Sequence, residues 1–166
     1  MPALSIRIFP DSVLRQHAKP VRFFDAKLST IVHAMEKTMR SQPHGIGIAA
    51  PQVGIPRQIA IVDVSPRVAD AVCLVLINPI ILDKQEPCPS REGCMSVPDY
   101  TGNLNRYNRI RVRWLDVEGF MHEKESAGIE AICIQHELDH LNGVLFFDRI
   151  DRLKTDMMPR TKRYSR

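Results

Sequence analysis

The chain has 166 residues, of which 44% are hydrophobic and 25% are charged, values typical of a single globular domain. This composition excludes a low-complexity or intrinsically disordered chain. No apolar run approaches the roughly 18 residues of a membrane-spanning helix, so we expect no membrane partner. Neither a signal peptide nor a transit peptide is visible, and the four cysteines are unevenly spaced. We therefore expect a cytoplasmic protein, or the mature form of an organellar one.

The first half of the chain is predicted to combine one helix with short strands. Asp25 is a candidate N-cap for a helix that runs to Ser41 with one apolar stripe along it. Residues 58–64 and 72–77 have the composition of strands, and residues 80–83 resume an extended conformation after an interruption.

The second half is predicted to hold a strand, a hairpin and a final helix. Apolar residues alternate with arginines in residues 110–114, as in a half-buried strand, and residues 118–119 form a hairpin turn. A helix is predicted over residues 127–142, with Ser126 as its N-cap and Gly143 as its C′ residue. Strands that precede a final helix indicate an α+β fold rather than α/β alternation.

The positive charge is concentrated at the C-terminal end. Residues 149–166 contain seven Lys or Arg and two Asp, whereas residues 1–148 contain sixteen Lys or Arg and seventeen Asp or Glu. We expect one domain over residues 1–152 and a short basic tail over residues 153–166, solvated and disordered as chain ends often are. The alternative is that this tail contacts RNA phosphates, without sequence-specific recognition of nucleic acid.

The final predicted helix contains the pattern His-Glu-x-x-His. His136 and His140 are four residues apart, so they share a helical face and can reach one metal ion. Glu137 lies about 100° around the helix from His136 and about 60° from His140. The Glu137 carboxylate can therefore lie beside the metal without binding it. This position suits a carboxylate that moves protons for a metal-bound water.

A third metal ligand is absent from the positions used by the common metalloproteases. Phe146 occupies the position of the third metzincin histidine, and no Glu follows Glu137. Cys133 lies about 7.5 Å along the helix axis from the metal level, so we interpret it as a pocket wall. Cys94 lies in a small-residue turn that can present a thiolate. Three carboxylates near the C-terminus are weaker candidates: Asp148, Asp151 and Asp156.

Three segments resemble the signatures of the peptide deformylase family. Residues 45–52 read GIGIAAPQ, residues 92–96 read EGCMS, and residues 135–143 read QHELDHLNG. They occur in the family's order and at its spacing. The resemblance extends from about residue 4 to about residue 152, and it implies mixed or antiparallel sheets packed around a C-terminal helix that carries the two histidines.

The resemblance implies a single metal site. Cys94, His136 and His140 would bind one divalent metal ion, and water would occupy the open fourth position of a catalytic site. In the family the metal is usually Fe²⁺, and Zn²⁺, Ni²⁺ or Co²⁺ can occupy the site. The Cys/His/His donor set by itself would favour zinc.

The resemblance also implies the reaction, which is removal of the N-formyl group from the initiator N-formylmethionine of newly made proteins, with release of formate. Metal-bound water or hydroxide would attack the formyl carbon, with Glu137 as general base and then general acid. The side-chain amide of Gln52 and the backbone N–H of Met95 would stabilise the oxyanion. The implied partners are N-formylmethionyl nascent peptides and, transiently, the ribosome, which the basic tail would contact.

Backbone segments are expected to hold the extended substrate. In the family, the backbone around Ile46 and Gly93 pairs with the peptide, and Gly45 and Gly47 allow its close approach. The methionine side chain would enter a pocket lined by Met95, Ile132, Cys133 and His136.

The chain departs from the family in Ile48 and Met95, which replace the Leu usual in the first two signatures, and more strongly at two other positions. Many members have Gly where this chain has Asp99 and Arg where it has Thr101. Two other interpretations remain open: an endopeptidase that cleaves unformylated peptides, and a catalytically silent homologue that binds a metal or the ribosome. Arg106 matches an arginine that supports the second signature in the family, and we expect Glu92 to be its ion-pair partner.

Overall fold

The computed structural model describes residues 3–161, in which one six-stranded antiparallel sheet packs against two long helices. This arrangement confirms the predicted α+β class and the C-terminal helix that carries the histidine motif. The strands are β1 (Gly47–Ala49), β2 (Ile59–Val62), β3 (Leu74–Cys94), β4 (Val97–Leu115), β5 (Met121–Ala127) and β6 (Met157–Pro159). The helices are α1 (Ala26–Ser41), α2 (Gly128–Leu141) and the single turn α3 (Leu153–Asp156).

The sheet follows the order β1-β2-β3-β4-β5, and β6 pairs with the far end of β4. Strands β3 and β4 form a long hairpin that closes where Cys94 pairs with Val97. The predicted break within β3 is a register shift between Ile77 and Ile80, rather than an interruption of the strand. Pro79 lies within that shift, and its missing N–H is tolerated there because a bulge already disrupts the ladder.

Helix α1 begins where the sequence predicted. The Asp25 side chain accepts a hydrogen bond of 3.0 Å from the backbone N–H of Leu28, which confirms it as the N-cap. Met35 and Met39 of this helix are fully buried in a cluster with residues of β1 and β2. Helix α1 therefore covers β1, which lies within the first signature, and β2, which follows it.

Helix α2 begins at Gly128, and the prediction that Ser126 caps it was wrong. Ala127 is the N-cap residue and makes no side-chain cap, while the Ser126 hydroxyl donates to Glu130 at 2.7 Å. The reason is the positive φ of Gly128, 62°, which turns the chain from β5 directly into the helix.

Helix α2 is buried on most of its circumference. Ala131 and Ile134 belong to the largest core cluster, between the helix and the sheet. Gln135, Glu137 and Asp139 are also buried. Buried polar groups are costly unless they have partners. Three of them on one helix therefore indicate that a site is built around this helix. Of the helices in residues 3–161, none has both the length and the apolar character that a membrane span requires.

The described part of the basic tail is ordered, contrary to the disorder expected from the sequence. After α3, strand β6 pairs with β4 in the register Thr101↔Met158. Met157 packs against a third apolar cluster that includes Phe146 and Ile150. This packing explains the order of residues 153–161, and residues 162–166 lie outside the described part of the tail.

The end of α2 offers a test of this local geometry. Gly143 has a φ of 71°, and a Cβ atom there would lie 2.5 Å from the Arg15 carbonyl oxygen. Gly128 has a φ of 62°, but a Cβ atom there would meet no described atom within 4 Å. Both alanine substitutions incur the left-handed backbone cost, whereas only Gly143→Ala also forces a backbone clash.

We therefore expect Gly143→Ala to lower the free energy of unfolding by about 1–3 kcal/mol more than Gly128→Ala. Urea unfolding of both variants, at the same metal loading, measures this difference. Equal losses in the two variants would contradict the clash at Gly143.

Candidate active site

The β3–β4 hairpin and helix α2 bring three metal-binding side chains together. Cys94 is the last residue of β3, and His136 and His140 are one turn apart on α2. One ligand atom from each of the three lies within 4.8 Å of the other two, and Cys94 Sγ is 3.2 Å from His140 Nε2. The structure therefore assembles the Cys/His/His group that the resemblance implied.

The other candidate ligands lie elsewhere. Asp148 forms an ion pair with Arg15 and accepts a hydrogen bond of 2.8 Å from the N–H of Leu145. Asp151 and Asp156 lie outside the group of ligand atoms. Cys133 is buried with its sulfur 3.5 Å from the Ile46 carbonyl oxygen, in the wall of a cleft, as predicted.

The electrostatics of the group fit a divalent cation. Burial opposes ionisation of the Cys94 thiol, but the charges and hydrogen bonds of His140 and His136 outweigh it and hold its pKa well below the usual value. The Glu92 carboxylate accepts a hydrogen bond of 2.8 Å at Oε1 from Nδ1–H of His136, which leaves Nε2 of the ring free to bind a metal. A thiolate with two imidazole nitrogens is a donor set that suits one divalent transition-metal ion.

Glu137 lies beside this group with an unsatisfied oxygen. Its side chain is buried, and its Oε2 has no hydrogen-bond partner among residues 3–161. Burial raises the pKa of this carboxyl to about 7, although the neighbouring histidines oppose the rise. A Cβ atom at Gly47 would overlap Glu137 Oε1, so glycine is required where β1 passes the carboxylate. This carboxyl is placed to accept and return a proton near neutral pH.

Gln52 reaches the same centre from a 3-10 turn that spans Ala50–Val53. Its Oε1 accepts a hydrogen bond of 2.9 Å from the N–H of Ala49, which orients the amide so that Nε2 faces the site. Nε2 lies 3.5 Å from Cys94 Sγ and 3.3 Å from Ser96 Oγ. Met95 occupies the hairpin turn between Cys94 and Ser96. Ser96 is fully buried, and no pattern in the sequence indicated its contact with Gln52.

A buried network of charges supports the metal group. Arg106 on β4 donates two hydrogen bonds of 2.8 Å to Glu92 and one of 2.6 Å to Asp139, and its side chain is only 3% exposed. Arg149 binds the other Asp139 oxygen at 2.6 Å. Glu92 in turn holds His136. The expected pair of Arg106 and Glu92 is confirmed, whereas the sequence analysis missed Asp139 and Arg149. An acidic residue inside the histidine motif of a buried helix was the available signal for Asp139.

The cluster formed by Cys94, His136 and His140 lies at the floor of a cleft of about 880 Å³. Glu137, Gln52, Met95, Cys94 and His136 line it, while His140 is buried at 1% exposure. The residues predicted to bind substrate all line the cleft: Gly45, Ile46, Gly47, Gly93, Ile132 and Cys133.

Three ligands at the floor of an open cleft, beside a buried carboxylate, define a metal-dependent hydrolase. Residues 3–156 match the family model described as polypeptide deformylase, and the chain belongs to that family of metallohydrolases.

Curated relatives and solved structures agree with this assignment. The peptide deformylase of Mesorhizobium japonicum is 43% identical over 159 residues, which cover 95% of this chain and 90% of the relative. That of Rhizobium meliloti is also 43% identical, over 92% of this chain and 88% of the relative. The crystal structure of the Thermotoga maritima enzyme is similar with a TM-score of 0.85 and 40% identity, over 92% of this chain and 100% of that one.

The support network predicts two unequal arginine substitutions. The pKa of Glu92 is held well below its ordinary value because the hydrogen bonds from Arg106 and His136 outweigh burial. Arg106→Met would leave two buried carboxylates without this partner, so we expect it to lower the free energy of unfolding by about 3–5 kcal/mol at pH 7. Arg109→Met is the control, because its ion pair with Glu86 is exposed to solvent and should contribute little to stability.

The pH dependence of the same variants has a definite sign. A depressed carboxyl pKa stabilises the folded state above its unfolded pKa, and this contribution is lost as the pH falls. The unsubstituted protein should therefore lose stability on acidification below about pH 4.5, and Arg106→Met should lose less over the same range. Urea unfolding between pH 7 and the acid range measures both effects. Equal destabilisation by the two arginine variants would contradict the network.

Proposed function

We propose that this chain removes the N-formyl group from the N-formylmethionine of newly made proteins and releases formate and a free amino terminus. The observation that carries the proposal is the buried Glu137 carboxyl, with a free oxygen, beside the Cys94, His136 and His140 group at the floor of the cleft. A peptide deformylase of Acinetobacter baumannii, 38% identical with a TM-score of 0.82, was crystallised with Met-Ala-Ser bound. It covers 89% of this chain, and its ligand begins with methionine, which supports the substrate class.

We propose that Cys94, His136 and His140 hold one divalent metal ion. Ferrous iron is the native ion that the family resemblance implies, with Zn²⁺, Ni²⁺ or Co²⁺ as substitutes. When bound, the metal supplies a Lewis acid that makes water acidic and polarises the formyl oxygen.

Glu137 is the proton carrier in this proposal. Its free oxygen accepts a proton from the attacking water and then delivers that proton to the leaving amine. A pKa raised to about 7 by burial suits both steps, because the carboxyl can exist in either state near neutral pH. A bound cation would lower this pKa, so the ascending limb of the pH profile should lie below pH 7 in the loaded enzyme.

Gln52 and Met95 provide the oxyanion donors. The Gln52 amide is already oriented by Ala49, so no reorganisation is needed when negative charge develops on the formyl oxygen. The Met95 backbone N–H lies in the hairpin turn directly after Cys94. Removal of one such donor typically lowers the rate by about 10²–10³.

The cleft accommodates an extended peptide. Ile46 precedes the edge strand β1, and Gly93 lies one residue before Cys94 on β3, so backbone from two separate elements borders the cleft. Gly45 and Gly47 leave space for the peptide. The methionine side chain would lie against Met95, Ile132, Cys133 and His136, which all line the cleft.

We propose that residues 1–152 form the catalytic domain of a cytoplasmic enzyme. Transient contact with the ribosome through residues 153–166 is a hypothesis, although residues 157–159 of that tail already pair with β4.

Formate release tests the proposed function directly. Protein reconstituted anaerobically with Fe²⁺ should release formate from formyl-Met-Ala-Ser and should leave acetyl-Met-Ala-Ser intact. Absence of formate with the metal confirmed bound would refute the proposal, and internal cleavage of an unformylated peptide would favour an endopeptidase.

Replacement of Glu137 tests the proton carrier. Glu137→Gln should keep the bound metal and lose about 10²–10⁴ in kcat, since the amide cannot accept the proton. Glu125→Gln is the matched control, because Glu125 is exposed on β5 and is not among the residues that line the cleft. Metal content and kcat of formate release are measured on both, and a Glu137→Gln variant as active as the control would remove Glu137 from this role.

A further inference from the structure

The C-terminal strand places an arginine on the wall of the cleft. Directly after β6, the backbone N–H of Arg160 donates to the Asp99 carbonyl oxygen at 2.8 Å, which anchors the residue. Its side chain extends over β4 to Gly93 on β3. A Cβ atom at Gly93 would overlap Nη2 of Arg160 and would lie 3.4 Å from the methyl carbon of Thr101. The guanidinium therefore occupies the space that a side chain at position 93 would fill.

Two further arginines border the same cleft. Arg91 Nη2 donates to the Thr101 hydroxyl at 3.3 Å, so the guanidinium groups of Arg91 and Arg160 flank Thr101. Arg67 also lines the cleft. All three arginines are exposed.

The accessible charge of this rim is positive. None of the ion pairs found within residues 3–161 includes Arg67, Arg91 or Arg160. The cleft lining contains two carboxylates, Glu92 and Glu137, which are 8% and 4% exposed. Glu92 is also neutralised by Arg106. A ligand that enters the cleft therefore meets exposed guanidinium groups without competing exposed carboxylates from the lining.

This charge distribution adds a preference among peptide substrates to the proposed function. The inference rests on that function. We propose that Arg160, assisted by Arg91, selects formylated peptides that carry a carboxylate side chain in the second or third residue. Gly93 borders the path of the extended peptide, and each residue of such a chain advances about 3.3 Å. The residues that follow the methionine consequently pass the guanidinium that covers Gly93. An arginine fork binds a carboxylate through two parallel hydrogen bonds.

The test compares charged and neutral peptides of the same shape. Formyl-Met-Glu-Ser and formyl-Met-Gln-Ser, with the matching pair that has Glu or Gln in third place, are all amidated so that no terminal carboxylate contributes. The proposal predicts a higher kcat/KM for at least one Glu peptide over its Gln partner, by about two- to fivefold, the range of an accessible ion pair. The difference should reside mainly in KM and should shrink when ionic strength rises from about 0.05 M to about 1 M.

Variants assign the preference to its residue. Arg160→Gln should bring the Glu-to-Gln ratio of kcat/KM close to one, while Arg160→Lys, which keeps the charge but not the fork, should retain part of the preference. Arg152→Gln is the matched control, because Arg152 is exposed in the same C-terminal segment and does not line the cleft. It should preserve the full ratio.

The outcomes separate the two proposals. Formate release from every peptide with equal kcat/KM for Glu and Gln would overturn the role of Arg160 and leave the deformylase function intact. A preference that survives Arg160→Gln unchanged would also overturn it. No formate from any formylated peptide would overturn the proposed function, and the specificity with it.

Discussion

Arg106 connects the sheet to the helix at the point where the active site is built. On β4, its guanidinium binds Glu92 on β3 and Asp139 on α2, all of them buried. Glu92 then holds the ring of His136, and Asp139 lies next to the second histidine in sequence. Removing one partner would leave uncompensated charge in a low-dielectric interior, which is far more costly than losing a surface pair. The position of the metal group therefore depends on this network.

The same architecture separates two electrostatic environments in one cleft. At the floor, burial and close contact govern protonation, so that Cys94 favours the thiolate while Glu137 titrates near 7. At the rim, the side chains of Arg91 and Arg160 are exposed to solvent. Reactivity at the floor thus depends on buried, closely spaced groups, whereas recognition at the rim acts through screened, longer-range attraction. The C-terminal strand β6 links these functions, because it delivers Arg160 to a site formed mainly by residues far earlier in the chain.

Sequence patterns correctly predicted features that depend on neighbouring residues. They failed for features that depend on contacts between residues far apart in the chain. Helical spacing was sufficient to place His136 and Glu137 on α2. Cys94 lies 46 residues before His140, so only the family resemblance identified it as the third ligand. Ser126 was an attractive cap, but the turn at Gly128 took precedence. The order of residues 153–161 depends on pairing with β4, and no periodicity within that segment indicates it.

X-ray absorption at the metal edge tests the central claim, that the hairpin and the helix jointly form one metal site. The Zn²⁺-loaded protein is suitable because the ligand distances of zinc are well defined. The account predicts one sulfur at about 2.3 Å and two imidazole nitrogens at about 2.0–2.1 Å, with the sulfur lost in Cys94→Ser. A first coordination sphere without sulfur, or a sulfur that persists in Cys94→Ser, would contradict it.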